Sequence, residues 1–255
     1  MSIETKFPTE TIDLPSKGWY YDPESLLASG QIELKYLTAK EEDILTSTNL
    51  IQKGLVIDRL LESLIVNKDV KFTDLLIGDK NAIMIASRIL GYGKDYDARI
   101  TCMACGKVND VRVDLTSIDD KEIPEPKTKG DNSFEYKLPV SKRTVNFKLL
   151  TQGDENKIDE EVARYRKVDP DIDRTLTTRL KHIITAVDGD ETPANVRNFV
   201  DNEFLARDSK AFRTHYQTVT PDIDLFVDHH CPNCKDERRV TVPIGVDFFW
   251  PDTEI

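Results

Sequence analysis

The 255-residue chain has no apolar run approaching the roughly 20 residues a helix needs to span a bilayer, so no membrane segment is expected. It also lacks a basic stretch followed by an apolar core at its start, Met1-Ser2-Ile3-Glu4-Thr5, so no secretory leader is read there. A basic excess is missing as well. Lys and Arg total 35 against 46 Asp and Glu, and the net charge of −11 disfavours nucleic acid as a partner. Histidine is scarce, at four positions. His182 reads as a surface residue near Arg179 and Lys181, and His215 has no carboxylate partner at helical spacing. There is no Gly-rich phosphate loop and no Gly-x-Ser-x-Gly elbow. The acidic clusters Glu41-Glu42-Asp43 and Asp154-Glu155 read as helix first turns, where each carboxylate favours the helix dipole by about 0.3–1 kcal/mol. These absences argue against an enzyme and against a small-molecule substrate.

Against this background the cysteines stand out. There are four, all used in two Cys-x-x-Cys pairs: Cys102 with Cys105, and Cys231 with Cys234. In the reducing cytosol expected for a chain without a leader, such pairs read as metal ligands before disulfides. Each lies between two strand-like runs, where a zinc knuckle belongs. Four thiolates complete a tetrahedral Zn²⁺ shell and leave no open position, so a single shared, structural zinc is expected. A dithiol redox site would place one pair at a helix start and would not need a second copy. Iron remains an alternative on ligand count. His229 and His230, next to Cys231, are expected beside the metal and not in its shell.

Along the chain, residues 1–30 read as an extended arm punctuated by Pro8, Pro15, Gly18 and Pro23. The arm concentrates Trp19, Tyr20 and Tyr21. These rings either cover the protein's own core or dock a partner. Gln31–Thr38 reads as a strand, and Thr38 with Glu41 as a capping box opening a short helix. Helices are expected over about 55–66 and from an N-cap at Asp79 to Gly91 or Gly93. Strands over about 96–101 and 108–115 flank the first Cys pair, and 118–133 reads as a charged linker. The same order then recurs. Strands are expected at about 134–138 and 144–150, and helices over about 154–165, 176–187 and 194–205. Asp208 is read as capping another helix to about Thr218, and strands at about 224–228 and 238–242 flank the second pair.

A shift of 129 residues puts both Cys pairs in register, together with Asp79 on Asp208, Ala82 on Ala211 and Asp95 on Asp224. Only seven of the 37 positions from 79 to 115 are identical to their counterparts, so conserved spacing carries the inference more than identity does. Upstream, Ile32-Glu33-Leu34-Lys35 resembles Val145-Asn146-Phe147-Lys148. The expected fold class is α+β, with two repeated helical units sharing a split four-cysteine zinc ribbon. The units are read as 31–117 and 134–247, joined by the linker and followed by a tail, 248–255, that carries Phe248, Phe249 and Trp250.

The order of several elements resembles the baseplate-hub assembly family of T-even-type contractile-tail phages. They are Leu14-Pro15-Ser16-Lys17-Gly18 with Tyr20-Tyr21, Leu37-Thr38-x-x-Glu41-Glu42-x-Ile44-Leu45, and Asp79 with Arg88 and Tyr92-Gly93. The last is Pro243-Ile244-x-x-Asp247-Phe248-Phe249-Trp250-Pro251. The resemblance implies a non-enzymatic virion or assembly protein that touches other baseplate or hub subunits, either at the tail tip or as a helper during hub construction in the host cytoplasm. Trp19, Tyr20, Tyr21, Phe248, Phe249 and Trp250 are the candidate partner-binding residues. The alternative is a zinc-ribbon adaptor in phage nucleic-acid metabolism, against which the acidity argues.

Overall fold

A computed structural model of the chain describes residues 8–244 and 248–250. The start Met1–Thr5 and, from the tail pattern, Asp247 and Pro251 lie outside those residues. The described chain is α+β: short antiparallel sheets and helices around one continuous apolar core.

Among the described residues the first half opens with a hairpin. Thr9–Asp13 (β1) pairs antiparallel with Gln31–Lys35 (β2), with Ile12 opposite Ile32. In β2 the pleat turns Ile32 and Leu34 inward and Gln31 and Glu33 outward. The long turn between the strands closes at Gly18, where a Cβ would meet the Ala28 carbonyl oxygen at 2.4 Å and φ is 73°. Thr38 then starts α1 (Ala39–Leu45), and its backbone N–H donates to the Glu41 carboxylate (3.1 Å). Lys35 reaches that carboxylate too, at 2.7 Å. After α2 (Thr48–Gln52) and α3 (Val56–Leu64), Ile65 makes a single bridge to Leu34. The chain enters α4 (Ile77–Tyr92) and then the hairpin of β3 (Asp95–Thr101) and β4 (Val108–Asp114).

The second half opens with a hairpin as well. Phe134–Lys137 (β5) pairs with Thr144–Phe147 (β6), with Tyr136 opposite Val145. Thr151 caps α5 (Gln152–Val168) in a capping box with Asp154, to which Lys148 binds at 2.7 Å. After α6 (Thr175–Ile183), residues Ile184–Val187 form β7 on the far edge of β6. This corrects the expectation of a helix to Val187. Ile183-Ile184-Val187 fits a helical stripe, but β6 offers a free edge that these β-branched residues pair with. α7 (Pro193–Asn198) passes into a π turn (Phe199–Glu203), then come α8 (Ala206–Val219) and the hairpin of β8 (Phe226–His230) and β9 (Glu237–Thr241).

Asp79 and Asp208 are not N-caps. Each is the third residue of its helix, fully buried, and reaches back to the turn of its own half's first hairpin. Asp79 accepts from Ser16 N (2.9 Å) and from the Tyr21 hydroxyl (2.5 Å). Asp208 accepts from Val140 N (2.7 Å) and Ser141 N (2.9 Å). Leu14 and Leu138 lie buried beside these turns, and Leu34, Leu45 and Ile83 in the first half and Phe147, Ile158 and Phe212 in the second are buried too.

The halves meet where the segment entering α4 crosses the segment entering α5. Leu76 bridges Thr151, Ile77 N donates to the Leu150 carbonyl (3.2 Å) and Gln152 N donates to the Leu75 carbonyl (2.8 Å). Gly78 lies so close to the second half that a Cβ there would sit 1.9 Å from the Pro221 carbonyl oxygen. The 118–133 segment adds a further tie, with Lys121 N on the Asp222 carbonyl and Asp224 N on the Asp119 carbonyl, both at 2.8 Å.

Candidate metal centre

Each Cys pair sits in a turn that its hairpin builds. The β3–β4 ladder ends at Thr101 opposite Val108, and the β8–β9 ladder at His230 opposite Glu237. Beyond them Cys102 N donates to the Lys107 carbonyl and Gly106 N to the Cys102 carbonyl (2.9 and 2.8 Å). In the second turn Cys231 N donates to the Asp236 carbonyl and Lys235 N to the Cys231 carbonyl (2.9 and 3.0 Å). Gly106 and Lys235 both take positive φ, 70° and 63°, so the two turns share one backbone shape. That shape turns two sulfurs and several amide N–H groups toward a single point.

The point is common to both turns. The four Sγ atoms lie within 4.8 Å of one another. Cys102 Sγ is 3.7 Å from Cys234 Sγ, and Cys105 Sγ is 3.8 Å from Cys231 Sγ. A tetrahedron of thiolates about 2.3 Å from a central zinc has edges of about 3.8 Å, so the donor set fits one such ion. These distances are far above the S–S bond length of about 2.05 Å, and all four cysteines are free thiols. The site can therefore hold a metal ion between the two halves.

Its surroundings suit thiolates. Backbone N–H groups of Cys234 and Asn233 favour the ionised form of Cys231 and draw its pKa down to about 5. Cys234 moves the other way, to about 12: desolvation and the neighbouring sulfurs outweigh the Asp236 N–H that favours its thiolate. Buried Asn109 directs its Nδ2 toward Cys231 Sγ (3.7 Å) and lies 3.4 Å from His229 Nε2. Asn233 donates to Asn109 Oδ1 (3.0 Å), which ties the second turn to the first hairpin. His229 and His230 stand beside the cluster in β8 and are not in the sulfur set. Sequence reading missed Asn109, whose only local signal is its place four residues after Cys105 on β4.

The other candidate residues lie elsewhere. Tyr20, Tyr21, Phe248 and Phe249 are buried in the protein's own core, which corrects their assignment as partner-facing rings. Tyr20 packs on Phe134, and Phe248 packs edge-on against Tyr96, whose hydroxyl donates to the Pro243 carbonyl (2.9 Å). Burial of such rings contributes more than solvent exposure allows. Trp19 and Trp250 are half-buried, and Lys17 and Lys129 lie 4.9 and 5.4 Å from the Trp19 ring centre. His182 reaches Glu161 at 3.1 Å, and His215 stacks on Tyr136. No helix of the described residues is long and apolar enough to cross a membrane.

The model of one protein family, described as T4 bacteriophage base plate protein, matches residues 13–250 of the chain. No curated protein and no solved structure matches it.

Proposed function

The chain belongs to the T4 bacteriophage base plate protein family, and from that premise we propose that it is a non-enzymatic hub component that works through contacts with other baseplate proteins. One Zn²⁺ held by Cys102, Cys105, Cys231 and Cys234 fastens two copies of one folding unit. The observation that carries this reading is that each half supplies two of the four sulfurs gathered at one point. A four-thiolate shell leaves no site for substrate or water, so such an ion stabilises and does not catalyse.

The repeated unit is supported by contacts and not by identity alone. In each half an Asp at the third position of a helix grips the first hairpin's turn. In each, a Lys three residues before the capping threonine pairs with the capping-box acid, Glu41 or Asp154. In each, the residue after the next long helix bridges the strand's buried centre: Ile65 on Leu34, Ile184 on Phe147. We place the units at 31–117 and 134–247, with β1 belonging to the first as β5 belongs to the second. The half-buried Trp19 and Trp250 are the rings left for partner contact.

The protein acts in the host cytoplasm during tail construction and takes its place in the baseplate. The test is a phage carrying Cys102→Ser in this gene, with its tail intermediates compared with those of the parent. Loss of hub-containing intermediates, restored by supplying the parent protein, is the expected result. Normal tails with a metal-free variant would contradict the reading.

A further inference from the structure

The junction between the halves has an unfilled counterpart at each outer end of the molecule. In the filled junction, Leu75 and Leu76 retain 0% and 2% of their exposure, and Leu150 and Gln152 retain 3% and 4%. The repeat offsets set Phe204-Leu205-Ala206, entering α8, on Leu75-Leu76-Ile77, and Leu37-Thr38-Ala39, entering α1, on Leu150-Thr151-Gln152. These two outer segments form no bridge with each other. Leu205 is 48% exposed, and Ala39 and Ala206 are exposed as well. Among the described residues, the carbonyls of Leu37 and Phe204 and the N–H groups of Ala39 and Ala206 have no hydrogen-bond partner. Their filled counterparts are the four groups that make the inner pair of bonds.

We propose that the α8 entry of one copy docks on the α1 entry of a second copy and repeats the inner junction between molecules. Ala206 N–H then donates to the Leu37 carbonyl, Ala39 N–H donates to the Phe204 carbonyl, and Leu205 is covered as Leu76 is. The occupant is a second copy because each end carries what the other lacks, in the same donor and acceptor spacing. The two patches differ, so the contact is head-to-tail and produces a ring or an open row. It is a small contact and belongs to the weak class. Two differences bear on it. Arg207 stands where the inner site has Gly78, so the outer contact is looser than the inner one. Gly153, at the inner site, lies where a Cβ would come 3.1 Å from the Thr73 carbonyl oxygen, whereas the outer site has Lys40 in that place.

This inference rests on the repeat correspondence and not on the metal. The test is light scattering of the metal-loaded full chain over a concentration series to the millimolar range. The expected result is a mass rising above 29.1 kDa with concentration. Leu205→Asp is expected to weaken association by about tenfold or more, and Lys40→Gly to strengthen it. Metal content and circular dichroism of both variants should match the parent, which separates loss of docking from loss of fold. A parent that stays monomeric throughout, or a Leu205→Asp chain that associates like the parent, would overturn the proposal.

Discussion

Asp79 and Asp208 are each the third residue of a helix and each bind a hairpin turn, yet their ionisation is pulled in opposite directions. Burial dominates at Asp79 and lifts its pKa to about 6, in spite of the Tyr21 hydroxyl and the Ser16 N–H that favour the charge, with Asp120 adding to the rise. At Asp208 burial acts in the same sense but is overcome by the Ser141 and Val140 N–H groups, and the pKa falls below the usual carboxylate value. The difference lies in the turns. The second half's turn offers two backbone N–H groups, and the first half's turn offers one with a phenol in place of the other. A carboxylate that bridges helix and hairpin thus tolerates two electrostatic solutions.

The largest expected effect tests whether the halves depend on each other. Cys102→Ser and Cys231→Ser should each lower the stability of the whole chain by more than about 4 kcal/mol and by similar amounts, read by urea unfolding. Loss confined to the mutated half would break the comparison. Next is Gly78→Ala, whose Cβ has no room beside Pro221; it should cost about 3 kcal/mol, while Arg207→Ala at the exposed matching position should be nearly neutral.

The pair of aspartates gives a pH signature. A raised folded pKa means that the folded state holds the proton more tightly than the unfolded chain does. The contribution of Asp79 is therefore full below pH 3.8 and is lost as pH rises to about 6, a change of about 3 kcal/mol. The penalty of Asp79→Asn should shrink by that order between pH 4 and pH 7. A lowered folded pKa has the opposite sign. The contribution of Asp208 is present above pH 3.8 and lost as pH falls below it, so the penalty of Asp208→Asn should stay nearly level between pH 4 and pH 7 and shrink only below that range. Unfolding midpoints of parent and variants at the two pH values decide it, and parallel trends would refute it. The smallest effect lies in the knuckles: Lys235→Gly should stabilise by roughly 0.5–1 kcal/mol, because Lys235 adopts the left-handed conformation that Gly106 takes without strain.

The sequence made some of this legible. The Cys pairs were readable because ligand chemistry fixes both residue type and spacing. Thr38 with Glu41 was readable because a capping box is local. Asp79 and Asp208 looked like caps because an Asp at a helix start usually is one. Their partners lie 58 to 68 residues away, beyond any local pattern. β7 was hidden because Leu180, Ile183, Ile184 and Val187 fit a helical stripe, and only pairing with the edge of β6, far away in sequence, turns Ile184–Val187 into a strand. The aromatic runs at 19–21 and 248–250 carried no information on which rings would be buried, since that depends on surfaces contributed by distant strands.

The central claim is that one ion joins the two halves. Elemental analysis of the purified full chain, with Cys102→Ser and Cys231→Ser alongside, tests it most directly. The account predicts one zinc per chain in the parent and its loss in both variants. No bound metal in the parent, two ions per chain, or full zinc retained in either variant would contradict it.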